Sequence, residues 1–385
     1  MSAANASSQR ALRLPIVLAM TAVVSLLAAC GGSSTTPIAA GPASTETPGA
    51  LSTPSMTQSA GPTSSAASAV APAASAAGSP SASMALVPSS GPLHVLWKKA
   101  GPMQKTVTYW PAIDPLTGDI WVASSFESRL WVFEPDGTFL KEWGTPGSGP
   151  GQLKLITNDQ NPDPVGAIAF APDGTLYVAD NGNYRIDVFD PHGTFLRSWG
   201  SFGTDPGQFV SPKGIATDGK LVYVADDPGR MVVFDTSGHF VRSFDFPTIF
   251  FSLAPDGNLL VGGTGDGGIG GVAEFDATGK TVTSSPLAVA PYFASVLQSP
   301  PPMPDFEWGA SEAVEDASGR IFVSLADDAA PVGLLELNHD GKVIREWSSG
   351  GQTMTLAPDG SAIYMAWSGA GPAWPYLTKY AIPKG

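Results

Sequence analysis

Residues 167–199 read AIAFAPDGTLYVADNGNYRIDVFDPHGTFLRSW. Four short apolar runs, Ala167 to Phe170, Leu176 to Ala179, Arg185 to Phe189 and Phe195 to Trp199, alternate with turn-forming stretches. Runs of four or five residues rich in Val, Ile, Phe and Tyr and bounded by Gly, Pro and Asp read as strands. The turn Asp190-Pro191-His192-Gly193 recurs as Glu134-Pro135-Asp136-Gly137, Asp235-Thr236-Ser237-Gly238, Asp276-Ala277-Thr278-Gly279 and Asn338-His339-Asp340-Gly341. A carboxylate or amide first and a glycine fourth suit a type I turn whose next residue goes left-handed. Upstream of each such hairpin lies a second turn, with its glycine at 118, 174, 219, 257, 319 or 360. The chain is therefore six units of four antiparallel strands, and no helical period is evident after residue 30.

Four strands repeated about every 40 to 60 residues specify an all-β, six-bladed β-propeller. Blades pack face to face, so middle strands such as Trp131-Val132-Phe133 are apolar without alternation. Innermost strands crowd the axis and are small, as at Gly166-Ala167, Gly214 and Ala313. The last unit, after Tyr376 to Ile382, lacks an outer strand. The N-terminal segment Gly91 to Trp97 matches Gly137 to Trp143 in spacing, so residues 92–100 are expected to complete the sixth blade and close the ring. Closure removes open sheet edges.

Pro212 to Gly219 (PKGIATDG) followed by Val222-Tyr223-Val224-Ala225-Asp226, together with Leu176 to Gly200, resembles NHL repeats. Blades 2 and 3 match closely and blade 1 fairly well. Blades 4 to 6 have drifted, with Thr281 and Ser285 where blade 1 has Phe139 and Trp143. The resemblance implies an NHL-type six-bladed propeller. It fixes no activity, because that repeat serves peptide-amidating lyases, RNA- and protein-binding modules and sensor domains of bacterial surface proteins.

The remainder of the chain sets the context. Residues 1–29 carry Arg10 and Arg13 and then the apolar run Leu14 to Ala29, the order of a signal peptide. Leu27-Ala28-Ala29-Cys30-Gly31 resembles the lipobox of bacterial lipoproteins, and Cys30 is the only cysteine. That resemblance implies lipidation of Cys30 and a bacterial cell-envelope location, with the propeller lipid-anchored to the membrane and extracytoplasmic. Residues 31–90 are Ser, Thr, Ala, Pro and Gly with the single charge Glu46 and no aromatic, so 30–90 is expected to be a lipidated cysteine followed by a disordered tether. As a coil of about 60 residues it would span roughly 40–50 Å. The propeller domain is placed at 91–385. That domain carries 18 Lys and Arg against 33 Asp and Glu, a net −15, which argues against nucleic acid as a partner. The domain is expected to be a monomer.

Catalytic signatures are sparse. His94 falls in the closing strand, and His192, His239 and His339 fall at outer turns of three blades, too dispersed to share a zinc ion. The acids Glu312, Asp180, Asp226, Asp327 and Asp328 fall near strand ends that could face a channel mouth, with no spacing motif. Asp180 and Asp226 are thus weak metal candidates, expected first to bond neighbouring backbone. Gly262 to Gly271 lacks the Lys-Ser/Thr of a phosphate loop and reads as a strand connection. No catalytic residue and no cofactor are assigned; a calcium or zinc ion in the channel stays open.

Aromatics gather instead in connections on one face: Tyr109 and Trp110, then Tyr292, Phe293, Phe306 and Trp308 in residues 286–308, and Trp374 and Tyr376 in the last blade. With Glu312 they are the expected binding residues for a protein, peptide or cell-wall ligand, the alternative being that the long loop plugs the channel. The expected function is a surface-tethered binding module. The rival is a metal-dependent propeller enzyme, lactonase-like or similar to a peptidyl-hydroxyglycine amidating lyase.

Overall fold

The computed structural model describes residues 91–99, 108–156, 166–227, 229–265, 269–286, 309–326, 331–338, 340–351, 353–367 and 376–384. These form six four-stranded antiparallel sheets. From first to fourth strand, blade 1 comprises Thr108–Ile113, Ile120–Ser124, Arg129–Phe133 and Phe139–Trp143. Blade 2 comprises Ile168–Phe170, Leu176–Asp180, Arg185–Phe189 and Phe195–Trp199. Blade 3 comprises Pro212–Thr217, Leu221–Asp226, Arg230–Asp235 and Phe240–Asp245. Blade 4 comprises Ser252–Leu253, Leu259–Gly265, Ile269–Phe275 and Thr281–Pro286. Blade 5 comprises Gly309–Glu315, Ile321–Ala326, Pro331–Leu337 and Val343–Trp347. Blade 6 takes Thr353–Leu356, Ala362–Trp367 and Tyr376–Ala381 from the end of the chain and Val95–Lys99 from its N-terminal side.

First strands of consecutive blades lie against one another all the way round, which makes them the inner wall of a closed ring. The second strand of blade 2 shows why its sequence does not alternate. Leu176 and Val178 enter the cluster shared with blade 1, and Tyr177 and Ala179 enter the one shared with blade 3. Each of the six gaps between blades holds one such buried cluster. A side chain of this size, Trp131 or Phe234 for example, contributes about 1.5–3 kcal/mol by leaving water.

The closing strand is where expected, but its register differs from the one the spacing suggests. Val95 pairs with Tyr380 and Trp97 with Lys379, with Leu96 as an extra residue between them. In the other blades the same break falls after Phe139, Phe195, Phe240, Thr281 and Val343. Trp97 therefore stands in line with Lys141, Arg197 and Arg242, two positions away from the Trp143 it was matched to.

The reason lies in what Trp97 does. Arg197 and Arg242 donate to the turn carbonyls of Thr236 and Ala277 in the next blade. Trp97 Nε1 donates likewise to Pro135 O at 3.2 Å. Elsewhere, Trp143 and Trp199 lie over the turn glycines Gly193 and Gly238 so closely that a Cβ would stand 2.7 Å and 2.6 Å from the indole. Trp97 lies over Gly137 in the same way, at 2.7 Å. One indole fills two roles that a guanidinium and a tryptophan divide between them elsewhere.

The break in the outer strand also shields the sheet edges. In all six outer strands the extra residue, Leu96, Leu140, Leu196, Val241, Val282 or Ile344, is exposed. A bulge interrupts the ladder and twists the edge away from an incoming strand.

Candidate functional site

The links from second to third strands, and from each outer strand to the next blade, share one end of the ring. At this end in blade 2, Asp180 closes its strand with a buried carboxylate that accepts the Lys154 N–H at 2.5 Å, Asn183 Nδ2 at 2.7 Å and Arg185 Nε at 3.0 Å. Arg185 reaches on to the carbonyls of Ser148, Gly149 and Gln152. Gly182 is required in between, because a Cβ there would stand 2.3 Å from the Ile156 carbonyl oxygen. Blade 3 repeats the device. Asp226 accepts the N–H groups of Val210 and Ser211 at 2.9 and 2.7 Å and pairs with Arg230 Nη2 at 2.6 Å. Arg230 in turn holds the carbonyls of Thr204 and Gln208. Both aspartates bond neighbouring backbone, as their place in Val-Ala-Asp suggested, and the arginines pin the loops between blades.

Blade 2 departs from blade 3 in one side chain. Asp187 is fully buried in the third strand, where blade 3 has Val232 and blade 1 Trp131. Its Oδ2 lies 3.0 Å from Arg185 Nη2, and its Oδ1 has no partner in the structure. Burial, with the charge of Asp180 added to it, pushes the Asp187 carboxyl up to about 8 despite Arg185. Burial raises Asp180 too. Two carboxyls thus compete for one guanidinium, and a proton on Asp187 resolves the conflict.

A second buried acid sits at the inner wall. Glu312 is 3% exposed and accepts the Met354 N–H of blade 6. Burial pushes it up to about 8, with that hydrogen bond opposing. It occupies the register position that Tyr109, Gly214 and Thr353 hold in other blades.

The channel itself holds aromatics. Trp110 is the extra residue of its inner strand, left-handed at φ 54°, and its N–H donates to Thr353 Oγ1 at 3.0 Å. Its ring, 7% exposed, stacks on Phe250 from the link into blade 4, the blade opposite, with centroids 5.5 Å apart. The inner strand of blade 3 carries its own insertion one register step away, Lys213, buried and 2.9 Å from Asp227.

These placements revise the expected aromatic face. Trp110 fills the channel, Glu312 lies between blades 5 and 6, and Tyr376 is 8% exposed beneath Lys98, whose Nζ is 3.3 Å from the ring centroid. Burial pushes the Tyr376 hydroxyl up to about 12. All three are interior side chains, Trp110 turned inward by the insertion it forms and the other two by their place in the strand. The Tyr109 side chain, Tyr292, Phe293, Phe306, Trp308 and Trp374 lie outside the described residues, as do Asp327 and Asp328. What the sequence reading passed over is on the same end: Phe126 is exposed in the blade 1 link, and Phe202 is 65% exposed in the link to blade 3, where its ring meets Tyr184 edge-on. Neither falls in a periodic run, so pattern alone gave no signal.

The histidines among the described residues do not fit a shared zinc ion; His339 lies outside them. His94, His192 and His239 are exposed on three different blades, and His239 pairs with Asp235. Among the described residues no group of three His, Cys, Asp or Glu stands close enough to hold a metal ion.

Residues 152–260 match the DUF5128 family model, described as a 6-bladed beta-propeller. The chain carries a six-bladed β-propeller. Peptidyl-glycine alpha-amidating monooxygenase A of Xenopus laevis is 32% identical to this chain over 171 residues, 39% of the chain. The B form is 35% identical over 83 residues, 20% of the chain. The matched region spans 17% and 9% of those proteins' lengths. The solved structure of U3-55K superposes with a TM-score of 0.51 at 11% identity, covering 75% of this chain and all of that one, a likeness of fold alone.

Proposed function

We propose that the protein is a surface-tethered binding module. In this reading a lipid on Cys30 anchors it to the membrane of a bacterial cell envelope, and residues 31–90 space a monomeric, extracytoplasmic propeller of the NHL type from that membrane. The loop-bearing end of the ring receives a protein, peptide or cell-wall ligand. The observation that supports this is the division of labour at that end. Asp180, Arg185, Asp226 and Arg230 are committed to holding loop backbone, and Trp110 and Phe250 fill the channel, while Phe126 and Phe202 face solvent. A surface held rigid before contact loses little conformational entropy on binding. The test uses the full chain, displayed against a peptide array and against purified peptidoglycan. Substituting Trp308 and Trp374 together by Ala is expected to lower capture about tenfold, equivalent to removing a pair of hot-spot aromatics. Undiminished capture on both supports would remove this face from consideration.

A second reading is favoured by the match to the Xenopus amidating monooxygenases, and makes the propeller a lyase-like or lactonase-like enzyme. With the histidines dispersed, it requires a site of different composition. Stoichiometric zinc or calcium in the purified protein, with turnover of a peptidyl-hydroxyglycine substrate or a lactone, would favour it over the binding module.

A further inference from the structure

The residue before the recurring arginine is left-handed in blades 1, 2 and 3: Ser128 at φ 50°, Tyr184 at φ 56° and Gly229 at φ 73°. Glycine adopts this conformation freely, whereas a bulky side chain there strains the backbone. Blade 2 accepts the strain, and the ring so placed stands edge-on to Phe202, with centroids 5.0 Å apart and planes at 66°. Phe202, at 65%, is the most exposed of the large apolar side chains described. Its backbone is not loose. Phe202 bridges to Phe209, the Gly203 N–H donates to Phe209 O, and Arg230 holds the carbonyls of Thr204 and Gln208. Two unfavourable features, strain and an uncovered phenyl ring on a fixed loop, meet at one point. The left-handed turn is architecture common to three blades, but of these only blade 2 places an aromatic ring at it, against an uncovered phenyl ring.

The exposed carboxylates around this point outnumber its exposed cation, Lys154, whose stem lies against Gly182. Asp205, in the same loop, and Asp245, opposite Arg230 in the sheet, are exposed carboxylates. Arg185 and Arg230 are engaged by buried carboxylates and loop carbonyls. The chain as a whole carries −14. An exposed aromatic face beside free carboxylates selects a cation, which a guanidinium satisfies best by stacking on the ring while pairing with a carboxylate.

We propose that Tyr184, Phe202 and Asp205 form a docking point for an arginine-bearing segment of a basic peptide or protein. This rests on the reading of the loop-bearing end as a binding face, and it narrows the partner to a cationic polypeptide.

The test is fluorescence anisotropy of the full chain with a labelled Arg-Gly repeat decapeptide, and with a Glu-Gly decapeptide as control. The arginine peptide is expected to bind and the glutamate peptide not. Phe202→Ala should weaken binding at least fivefold with the melting temperature unchanged, and Asp205→Asn about twofold to threefold. Tyr184→Gly separates function from structure, because it should weaken binding at least threefold and raise the melting temperature by relieving strain. Wild-type affinity in Phe202→Ala and Tyr184→Gly, or equal binding of the glutamate peptide, would overturn the assignment. If the Trp308/Trp374 variant nonetheless loses capture, the binding-face reading survives that outcome; if it too retains capture, both fail.

Discussion

Blades 2 and 3 use the same acid and arginine pair to hold the loop that precedes them, yet they are not electrically alike. In blade 3 one buried carboxylate, Asp226, meets one guanidinium, and the next inward position is Val232. In blade 2 the guanidinium of Arg185 faces both Asp180 and Asp187, each fully buried. The other residues facing Asp187 leave that balance unchanged: its cross-strand neighbours are Val178 and Ser198, and the exposed Lys154 contributes only a backbone N–H to Asp180. The shared part is architecture, since each arginine holds the matching loop carbonyls, Ser148 and Gln152 in one link and Thr204 and Gln208 in the other. The unshared carboxyl is a cost that blade 2 carries and blade 3 avoids.

Opening the ring would erase the difference by undoing both blades together. Deleting residues 91–99 removes the outer strand of blade 6 and the Trp97 contact to blade 1, and is expected to lower the melting temperature by about 10 °C or more. An unchanged melt would mean that closure does not stabilise the propeller.

Removing each arginine sharpens the comparison. Arg230→Met leaves Asp226 buried without its cation and should cost about 2–4 kcal/mol by chemical denaturation. Arg185→Met is expected to cost less, because a protonated Asp187 can donate to Asp180 in its place.

Making blade 2 resemble blade 3 should act in the opposite direction. Asp187→Val is expected to stabilise the protein at pH 8 by about 1–3 kcal/mol. The sign follows from the raised carboxyl. The folded state keeps its proton up to about 8, whereas the unfolded chain releases it in the ordinary carboxylate range. The folded form therefore binds more protons across that window, and stability falls as pH rises through it. Glu312 adds a slope of the same sign. Melts from pH 5 to 8 should fall steadily in the wild type, less in Asp187→Val, and nearly not at all with Glu312→Gln added. The smallest expected effect is at Trp97→Phe, which keeps the ring over Gly137 and loses the bond to Pro135 O, at about 0.5–1.5 kcal/mol.

Much of this was legible in the sequence because repetition averages out local ambiguity. Six turn glycines count six blades, and an arginine that persists from Arg129 to Arg185 to Arg230 while its neighbours vary marks a packing role. The closing strand shows where repetition fails. Trp97 copies the spacing of Trp143, but register in a sheet is set by which side chain can reach the next blade's turn, and an indole can serve there as an arginine does. Trp110 read as a surface aromatic because a one-residue insertion in an inner strand turns its ring into the channel, and no periodicity records a bulge. Phe202 and Tyr184 are far from the aromatic-rich segments, and only the fold brings them together.

The most direct test of the shared latch is amide hydrogen exchange on the full chain, comparing wild type with Arg230→Met. Loss of the arginine should speed exchange at Gly203, Phe209, Val210 and Ser211 by about tenfold or more, as a local opening of that link requires, and leave blade 5 amides such as Val323 unchanged. Unaltered protection across residues 203–211 would contradict the claim that the recurring acid and arginine are there to hold the loops between blades.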